Sequence, residues 1–370
     1  MRLKRRSTVL VTLLVSLLLI ISGCGTKTAE TKAPEASKEK MKVAFVYVGP
    51  VGDGGWTYTH DVGRKYLAEK MPDVETSIVE SVPEGADAER VFTQLAEKGN
   101  KVIFTTSFGY MDPTINVAKK FPNVVFMHAT GYKTADNVGT YFGRAYQARY
   151  LTGIVAGKTT KSNLIGYVAA FPIPEVIRGI NAFTQGVRSV NPNAKVKVVW
   201  TNTWYDPAAE KDAAKSLLAG GADVITQHQD TPGPMQAAEE AGKYGIGYNS
   251  DMSKMAPKAV LTSAVFNWGP YYVKTIQAVK NGTWKNEQYW GSLSDGVVDI
   301  APFGPMVSED TKKLVADAKA KIMDKKWDVF TGPIKDQKGE VKVPAGQVMA
   351  DKDMLSFNWF VEGVDGTIPK

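Results

Sequence analysis

The sequence predicts an α/β protein made of two similar lobes, each built on a parallel β-sheet flanked by helices. Short apolar runs alternate with stretches of helix length, which is the pattern of βα units. The first five apolar runs recur after a constant offset of 122 residues, so the pattern occurs twice. The chain has 370 residues, 44% of them hydrophobic, and is therefore long enough for two domains with their own cores.

The N-terminus has the three parts of a secretory signal. Basic residues precede an apolar run over residues 9–21, and small residues lead from it to Cys24, the only cysteine of the chain. The run of 13 residues is too short to span a bilayer comfortably. Residues 21–25, ISGCG, resemble the lipobox of bacterial lipoproteins. The resemblance implies a signal peptide at residues 1–23, cleavage before Cys24, and acylation of Cys24 with chains such as palmitate.

A lipidated, flexible tether is expected over residues 24–40. Its sequence is polar and small with no apolar period, which is typical of disordered linkers. With an acylated Cys24 it would hold a folded body at the extracytoplasmic face of the cell membrane. The alternative, an inert buried cysteine, leaves the position of the only thiol at the cleavage point unexplained. A single cysteine also excludes a disulfide within the chain.

The formal charge of +7 gives little support to a nucleic-acid partner. Arg2, Lys4, Arg5 and Arg6 lie in the segment expected to be removed, and without these four charges the net charge falls from +7 to +3. Nucleic-acid-binding domains ordinarily carry a stronger basic excess. We therefore expect no nucleic acid among the partners.

The first predicted strand and its following loop are the first place where a site is expected. Residues 43–48 form an apolar run typical of a strand covered on both faces, and a glycine-rich loop ends it. In open α/β sheets ligands bind outside the carboxyl ends of the strands. The loop carries Asp53 and Trp56, an acceptor and a flat apolar ring that suit a planar ligand with N–H donors. A helix-capping Asp53 and a core Trp56 remain the alternative.

Ten strands in two sets of five are predicted along the chain. They begin near residues 43, 74, 102, 124 and 138, and again near residues 165, 196, 224, 246 and 260. Helices are predicted at 57–70, 87–98, 112–120, 146–157, 176–190, 208–219, 234–243, 269–280 and 309–325. Crossovers of this length are right-handed and make both sheets parallel.

This arrangement resembles the type I periplasmic-binding-protein fold, in which two Rossmann-like lobes are joined by a hinge that the chain crosses three times. The resemblance implies crossings near residues 141–144, 265–268 and 290–302. The first lobe would comprise residues 41–142 and 267–292, and the second residues 143–266 and 293–370. A ligand would lie in the cleft where the carboxyl ends of both sheets meet.

No arrangement of catalytic or metal-binding residues stands out in the sequence. The three histidines, His60, His128 and His228, lack the spacing of an HExxH motif, and the only cysteine is assigned to the lipid. The GDGGW loop has neither the end of a P-loop nor the GxGxxG spacing. We expect no metal, no cofactor and a binding protein. Asp53 and Asp112 could serve acid–base chemistry, so a surface enzyme stays open as an alternative.

Aromatic and polar side chains gather instead at the carboxyl ends of the predicted strands. The aromatic residues are Trp56, Tyr110, Trp204, Tyr205, Phe266 and Trp268. The polar residues are Asp53, Asp112, Asp206, Asn249 and Asp251. Each aromatic residue taken alone has a core position as its alternative. Several at one cleft, with acceptors beside them, indicate a clamp for a flat heteroaromatic ring.

A closer resemblance is carried by three segments, YQARYLTGIVAGK at 146–158, AAFPIPEVIRGINAFTQG at 169–186 and TWYDPAAEK at 203–211. Together they resemble the basic membrane protein family of ABC-transporter substrate-binding lipoproteins, over about residues 42–305. The family's best-known members bind purine nucleosides, stack the base between two aromatic side chains and hold ribose with an aspartate and a lysine. The resemblance implies an ABC permease and its ATPase as partners.

The resemblance also assigns roles to particular residues. The two stacking aromatics fall on Trp56 and Trp204, and the acids of the first and third loops fall on Asp53 and Asp112. The family's paired acids in the second lobe correspond to residues 248–251, YNSD, where one acid has become Asn249 and Asp251 keeps the other.

Phe266 departs from the family pattern, because the ribose-binding lysine falls on this position. A phenyl ring cannot donate hydrogen bonds to sugar hydroxyls, and it narrows the space for ribose. The sequence therefore predicts a free purine base such as adenine in preference to a nucleoside.

The leading hypothesis is a monomeric, membrane-anchored receptor that captures a purine nucleobase or nucleoside, closes its lobes and presents the closed form to an ABC permease. Two alternatives stay open. One is a surface enzyme acting on nucleosides or sugars, and the other is a ligand sensor for a signalling partner. The identity of the purine is left open.

Overall fold

The structure, a computed structural model, describes residues 39–369. The predicted signal peptide, Cys24 and residues 24–38 of the tether lie outside the described residues. All ten predicted strands are present, and each begins within two residues of its predicted position. The predicted α/β fold with two similar sheets is confirmed.

The first half of the chain forms one sheet. Its strands are β1 (Met41–Val46), β2 (Val74–Val79), β3 (Val102–Thr105), β4 (Val125–Ala129) and β5 (Val138–Gly143). Its helices are α1 (Trp56–Lys70), α2 (Ala86–Glu97) and α3 (Met111–Ala118). Val43 and Phe45 enter one core cluster and Ala44 and Val46 another. This burial on both faces explains the continuous apolar run of β1.

The second half repeats this pattern after a helix that leads into it. Its elements are α4 (Ala145–Thr159), β6 (Leu164–Ala169), α5 (Pro174–Val190), β7 (Lys195–Trp200), α6 (Pro207–Ala219), β8 (Val224–His228), α7 (Gly233–Glu240), β9 (Tyr244–Asn249) and β10 (Val260–Phe266). Pro174 and Pro207 open their helices, where a missing N–H costs nothing. Asp206 caps α6 by accepting from the N–H groups of Ala208 and Ala209.

The two sheets share one strand order, β5-β4-β3-β1-β2 in the first and β10-β9-β8-β6-β7 in the second. All of these neighbours are parallel. The order of connection reverses at β1 and at β6, so each sheet has a topological switch point at the carboxyl end of its first strand. The fold therefore brings the loops after β1 and β6 to the place where ligands bind.

The chain passes between the lobes three times, as the predicted hinge requires. It crosses after β5, since α4 packs on α5, and crosses back after β10 into α8 (Gly269–Lys280), which packs on α1. The third crossing lies between β11 (Gln288–Gly291), beside β5, and β12 (Val298–Ile300), beside β10.

One strand corrects the expectation of purely parallel sheets. β12 runs antiparallel to β10, with Ala264 opposite Ile300. The reason is the direction of entry, because the chain arrives from the first lobe with Val298 opposite Phe266, at the carboxyl end of β10, and must run back along it.

The C-terminal part completes the second lobe. It contains α9 (Glu309–Met323), the pair β13 (Ile334–Lys335) and β14 (Val341–Val343), α10 (Asp351–Met354) and β15 (Val364–Asp365). Ser308 caps α9, and β15 extends the second sheet beside β7. None of the helices within residues 39–369 is both long and apolar enough to cross a membrane.

Helices α4 and α5 approach closely at two glycines. A Cβ at Gly153 would lie 2.2 Å from the carbonyl oxygen of Phe183, and one at Gly186 would lie 2.0 Å from that of Tyr150. Since only glycine avoids these clashes, the two residues fix the position of α4 beneath α5.

Candidate functional site

A cavity of about 330 Å³, its mouth included, lies between the lobes at the carboxyl ends of the two sheets. From the first lobe it is lined by Val48, Trp56, Ser107, Phe108 and Thr130. From the second lobe it is lined by Glu175, Trp204, Asp230, Tyr248 and Asn249. Its aromatic walls with a few polar groups are typical of small-molecule sites.

Trp56 belongs to the wall of the first lobe and is fixed from behind. Its indole Nε1–H donates to the carbonyl oxygen of Thr106 at 2.7 Å. Phe266 and Trp268 meet the indole edge-on, with centroids 5.8 and 6.0 Å away. The hydrogen bond and the edge contacts hold one orientation of the indole beside the cavity.

Phe266 and Trp268 lie behind Trp56 and are not among the residues that line the cavity. Their rings stack with centroids 4.7 Å apart and planes 13° apart. On its other side Trp268 stacks on His60, with centroids 4.9 Å apart. Both aromatic residues are buried in the core of the hinge region, so their contribution to the cavity is made through Trp56.

Asp53 caps helix α1. Its Oδ1 accepts from the backbone N–H groups of Gly55 and Tyr58 at 2.8 and 2.9 Å, and its Oδ2 accepts from that of Thr57 at 2.8 Å. Burial raises the pKa of Asp53 to about 6, although these three N–H groups act to lower it. The capping alternative therefore describes this residue in the structure.

The loop after β3 presents a different residue from the ones predicted there. Phe108 lines the cavity, whereas Tyr110 is fully buried and its hydroxyl donates to the carbonyl oxygen of Val82 at 2.5 Å. The Asp112 side chain is 69% exposed and pairs with Lys133 at 2.6 Å. A single turn of 3₁₀ helix over Phe108–Tyr110 gives the side chains of Phe108, Tyr110 and Asp112 three different directions.

The loop after β7 places Trp204 at the cavity. Its ring packs on Phe171 with centroids 5.0 Å apart, which supports it from the second lobe. Tyr205 is 38% exposed and does not line the cavity. Of the two adjacent aromatic residues, Trp204 is thus the one available to a ligand in the cavity.

Asn249 lies at the carboxyl end of β9 and is completely buried. Its backbone has a φ of 69°, in the left-handed region that asparagine tolerates. Its Nδ2 lies 3.5 Å from Asp230 Oδ1, while its Oδ1 has no hydrogen-bond partner among the described residues. Asp251, by contrast, is exposed and accepts from the backbone N–H of Ser253 at 2.9 Å, outside the cavity.

Seven lining residues escape the sequence-based prediction, namely Val48, Ser107, Phe108, Thr130, Glu175, Asp230 and Tyr248. The 122-residue repeat relates Asp53 to Glu175 and Phe108 to Asp230. Residues at equivalent strand ends face the same cleft from opposite lobes, so comparing the predicted Asp53 with its repeat partner would have identified Glu175. Asp230 would still have been missed, because its partner Phe108 is not a predicted site residue.

The carboxyl groups of Glu175 and Asp230 line the cavity. The pKa values of Asp230 and of the nearby Glu210 are both raised. Burial raises the pKa of Asp230 well above its ordinary value, and the nearby charges of Asp53, Glu210 and Glu175 raise it further. Burial also raises the pKa of Glu210 to about 7, against hydrogen bonds from Thr231. A raised pKa favours the protonated carboxyl group, so Asp230 is able to donate as well as accept a hydrogen bond.

A buried cation lies behind one wall of the cavity. The guanidinium of Arg149 sits 3.6 Å from the ring centroid of Tyr248 and donates to the carbonyl oxygen of Gln227 at 2.6 Å. Among the residues of the described chain, no carboxylate lies within ion-pair distance of Arg149. Tyr248 stands between this charge and the cavity.

The two lobes are closed on each other around the cavity. The hydroxyl of Ser250 donates across the cleft to the carbonyl oxygen of Gly54 at 2.5 Å. A Cβ at Gly55 would lie 2.3 Å from the carbonyl oxygen of Asp230. The glycine loop of the first lobe therefore seats directly on the backbone of the second.

The donor set does not suggest a metal. Within the part of the chain that the structure describes, no group of three or more His, Cys, Asp or Glu side chains could hold an ion.

Comparison with known proteins identifies the kind of protein that the chain resembles. The family model for ABC transporter substrate-binding proteins of the PnrA-like type matches residues 40–329. A purine-binding protein of Brucella abortus (strain 2308) is 50% identical over 335 residues, which cover 90% of this chain and 95% of the relative.

Two further comparisons concern ligand range and fold. A protein of Haloferax volcanii named for glucose binding in ABC transport is 40% identical over 349 residues, covering 93% of this chain and 86% of the relative. The crystal structure of an ABC transporter solute-binding protein from Aeropyrum pernix matches with a TM-score of 0.69 at 20% identity, covering 80% of this chain and 93% of that one. The latter shows a shared fold.

Proposed function

The chain belongs to the family of PnrA-like ABC transporter substrate-binding proteins, and we propose that it is a receptor that captures a purine between its two lobes. One observation carries the proposal. The inter-lobe cavity has indole walls from both lobes, Trp56 and Trp204, with the buried acceptor Asn249 between the lobes' strand ends. Flat rings suit the planar base, and the acceptor suits its N–H edge. The purine-binding relative supports the same ligand class.

Within this function we propose that a free base is preferred to its nucleoside. Support comes from Phe266, which stands at the position of the family's ribose-binding lysine and stacks on Trp268 behind Trp56. A stacked phenyl ring gives the pocket an apolar backing and offers no donor to sugar hydroxyls.

Titration calorimetry of adenine, guanine and hypoxanthine, their nucleosides, and glucose tests both levels of the proposal. We expect purines to bind and glucose to bind weakly or not at all. Phe266→Lys should raise nucleoside affinity relative to the base. Tighter binding of nucleosides by the wild type would refute the base preference alone, whereas tight binding of glucose without purines would refute the purine receptor. Mass spectrometry of small molecules released from the denatured protein gives an independent reading.

We propose that the bound ligand leaves unchanged, as transport cargo for a permease and its ATPase. The absence of a nucleophile–base arrangement in the sequence supports this. Chromatography of purine nucleosides after incubation with the protein should recover them intact, and product formation would support the enzyme alternative. Neighbouring permease and ATPase genes would distinguish a transporter from a sensor.

We propose that Cys24 anchors the receptor to the extracytoplasmic face of the cell membrane. The lipobox-like sequence around Cys24 supports this, as does the polar segment that follows it. Cys24→Ala should move the protein from the membrane to the soluble fraction without changing purine affinity. Equal recovery of variant and wild type with membranes would refute the anchor.

A further inference from the structure

Three of the side chains that line the cavity present oxygen acceptors to it. Glu175 and Asp230 contribute carboxyl groups, and Asn249 presents an unpartnered Oδ1. Among the described residues, no lysine or arginine lines the cavity. The indole N–H of Trp56 is already committed to a backbone carbonyl. The side-chain groups left to donate are the hydroxyl of Thr130 and the indole N–H of Trp204, neither of which has a partner within the described chain, and the carboxyl group of Asp230 when it is protonated.

Glu175 is held in place with one oxygen left over. It lies in the first turn of α5, and its side chain is only 11% exposed. Its Oε1 lies 3.2 Å from Nε2 of the buried His228, whose ring packs against Tyr248 with centroids 4.5 Å apart. Within residues 39–369, Oε2 of Glu175 makes no hydrogen bond. Oε2 is thus held in a fixed position and is free to accept a hydrogen bond from a ligand.

The internal repeat explains why Glu175 is free. Its partner in the first lobe, Asp53, gives both oxygens to the N–H groups that open α1. Helix α5 opens with Pro174, which has no N–H to offer, and its capping position makes no side-chain hydrogen bond. One acid of the related pair therefore caps a helix, and the other is left to the cavity.

We propose that Glu175 is a specificity-determining residue that accepts a hydrogen bond from the exocyclic amino group of the base, so that the cavity selects aminopurines such as adenine over oxopurines such as hypoxanthine. This inference rests on the proposed purine function and deepens it. A carbonyl oxygen of the base placed against the free oxygen of Glu175 leaves both acceptors unpaired. A site built on hydrogen bonds discriminates strongly against such analogues.

Titration calorimetry of adenine and hypoxanthine at one pH tests the assignment. The wild type should bind adenine at least about tenfold more tightly than hypoxanthine, which corresponds to one well-placed hydrogen bond. Glu175→Gln keeps the shape of the side chain and adds a donor, so it should reduce this ratio by about tenfold. Glu175→Asp keeps the carboxylate and should still prefer adenine. Glu309→Gln is the matched control, because Glu309 also lies in a first helical turn but is 87% exposed.

The outcomes separate this inference from the function on which it rests. Purine binding with an unchanged ratio in Glu175→Gln, or a wild type that binds hypoxanthine as tightly as adenine, overturns the role of Glu175 and leaves the purine receptor standing. A wild type that binds neither base overturns both. If Glu175→Gln fails to fold by circular dichroism, the wild-type ratio and that of Glu175→Asp decide the question.

Discussion

Trp204 is the residue through which the second lobe can stack on a base. Its ring lines the cavity and packs on Phe171. Removing the ring therefore removes a stacking surface for the base. Trp204→Ala should weaken all purines by a similar factor, about tenfold to a hundredfold, since stacking contributes about 1–3 kcal/mol per base and ignores substituents. Calorimetry of several bases checks this. Tyr244→Ala, an exposed aromatic at the amino end of β9, serves as the control. Loss of affinity for one base alone would contradict the stacking role.

Glu210 is a buried acid beside the cavity and is not among the residues that line it. It accepts from the backbone N–H and the hydroxyl of Thr231 at 3.1 and 2.5 Å, and its pKa is raised by burial to about 7. A raised pKa means that the native state holds a proton that the unfolded state releases. The contribution of Glu210 to stability is therefore full below about pH 4 and lost as pH rises toward 7.

The prediction for Glu210→Gln is a change in the pH dependence of unfolding. Relative to the variant, the wild type should lose about 2 kcal/mol of unfolding free energy between pH 4.5 and 7.5. Denaturant titrations at several pH values measure the difference. Because buried histidines act on both proteins alike, the comparison cancels their contribution. Glu69→Gln, an exposed glutamate, should show the wild-type profile, and parallel profiles for Glu210→Gln and wild type would contradict the prediction.

At the level of residues, the sequence could predict which loops approach the ligand but not which side chain in each loop does so. Trp56, Trp204 and Asn249 line the cavity. Tyr110 and Asp112 do not, because a 3₁₀ turn directs Phe108 inward in their place. The positions of strand ends can be predicted from the periodic pattern of hydrophobic residues. The direction of a loop side chain depends on backbone dihedral angles, which that pattern does not determine.

At the level of elements, the loop between β1 and α1 controls how the lobes meet. A Cβ at Gly55 would clash with the carbonyl oxygen of Asp230 at 2.3 Å, while one at Gly52, in the same loop, meets nothing within 4 Å. Gly55→Ala should therefore hinder closure and weaken purine binding by about tenfold or more, since buried overpacking costs about 1–3 kcal/mol. Gly52→Ala should bind like the wild type. Calorimetry compares the two variants, and equal affinities would show that the loop does not seat tightly in the bound state.

The sequence predicts the longer helices and strands and misses the shortest ones. The βα units of both halves have buried strands and helices long enough to show a period, and the repeat supports each by a second copy. The strands β12 to β15 have two or three residues each, too few for any period. They exist because of tertiary pairing, as when β15 adds to the edge of β7.

At the level of the whole molecule, closing the lobes concentrates acidic groups. The glycine loop that carries Asp53 meets the backbone of Asp230, and each carboxyl group is buried. Their neighbouring charges raise the pKa of Asp230 beyond the effect of its burial. Since gathering acids costs free energy, a ligand that hydrogen-bonds to Asp230, the member of the pair that lines the cavity, stabilises the closed form over the open one.

The two lobes are therefore expected to close on purine binding. Trp56 and Trp204 come from different lobes, so both can contact one base only when the lobes are closed. In the closed form the Ser250–Gly54 hydrogen bond adds a direct link across the cleft. Small-angle scattering from a chain that begins after Cys24 should show a smaller radius of gyration with saturating adenine than without it. Gly55→Ala, which blocks the seat of the loop, should show less compaction at the same occupancy. A scattering curve unchanged by saturating ligand would instead identify a rigid, preformed site, and binding would then not be coupled to lobe movement.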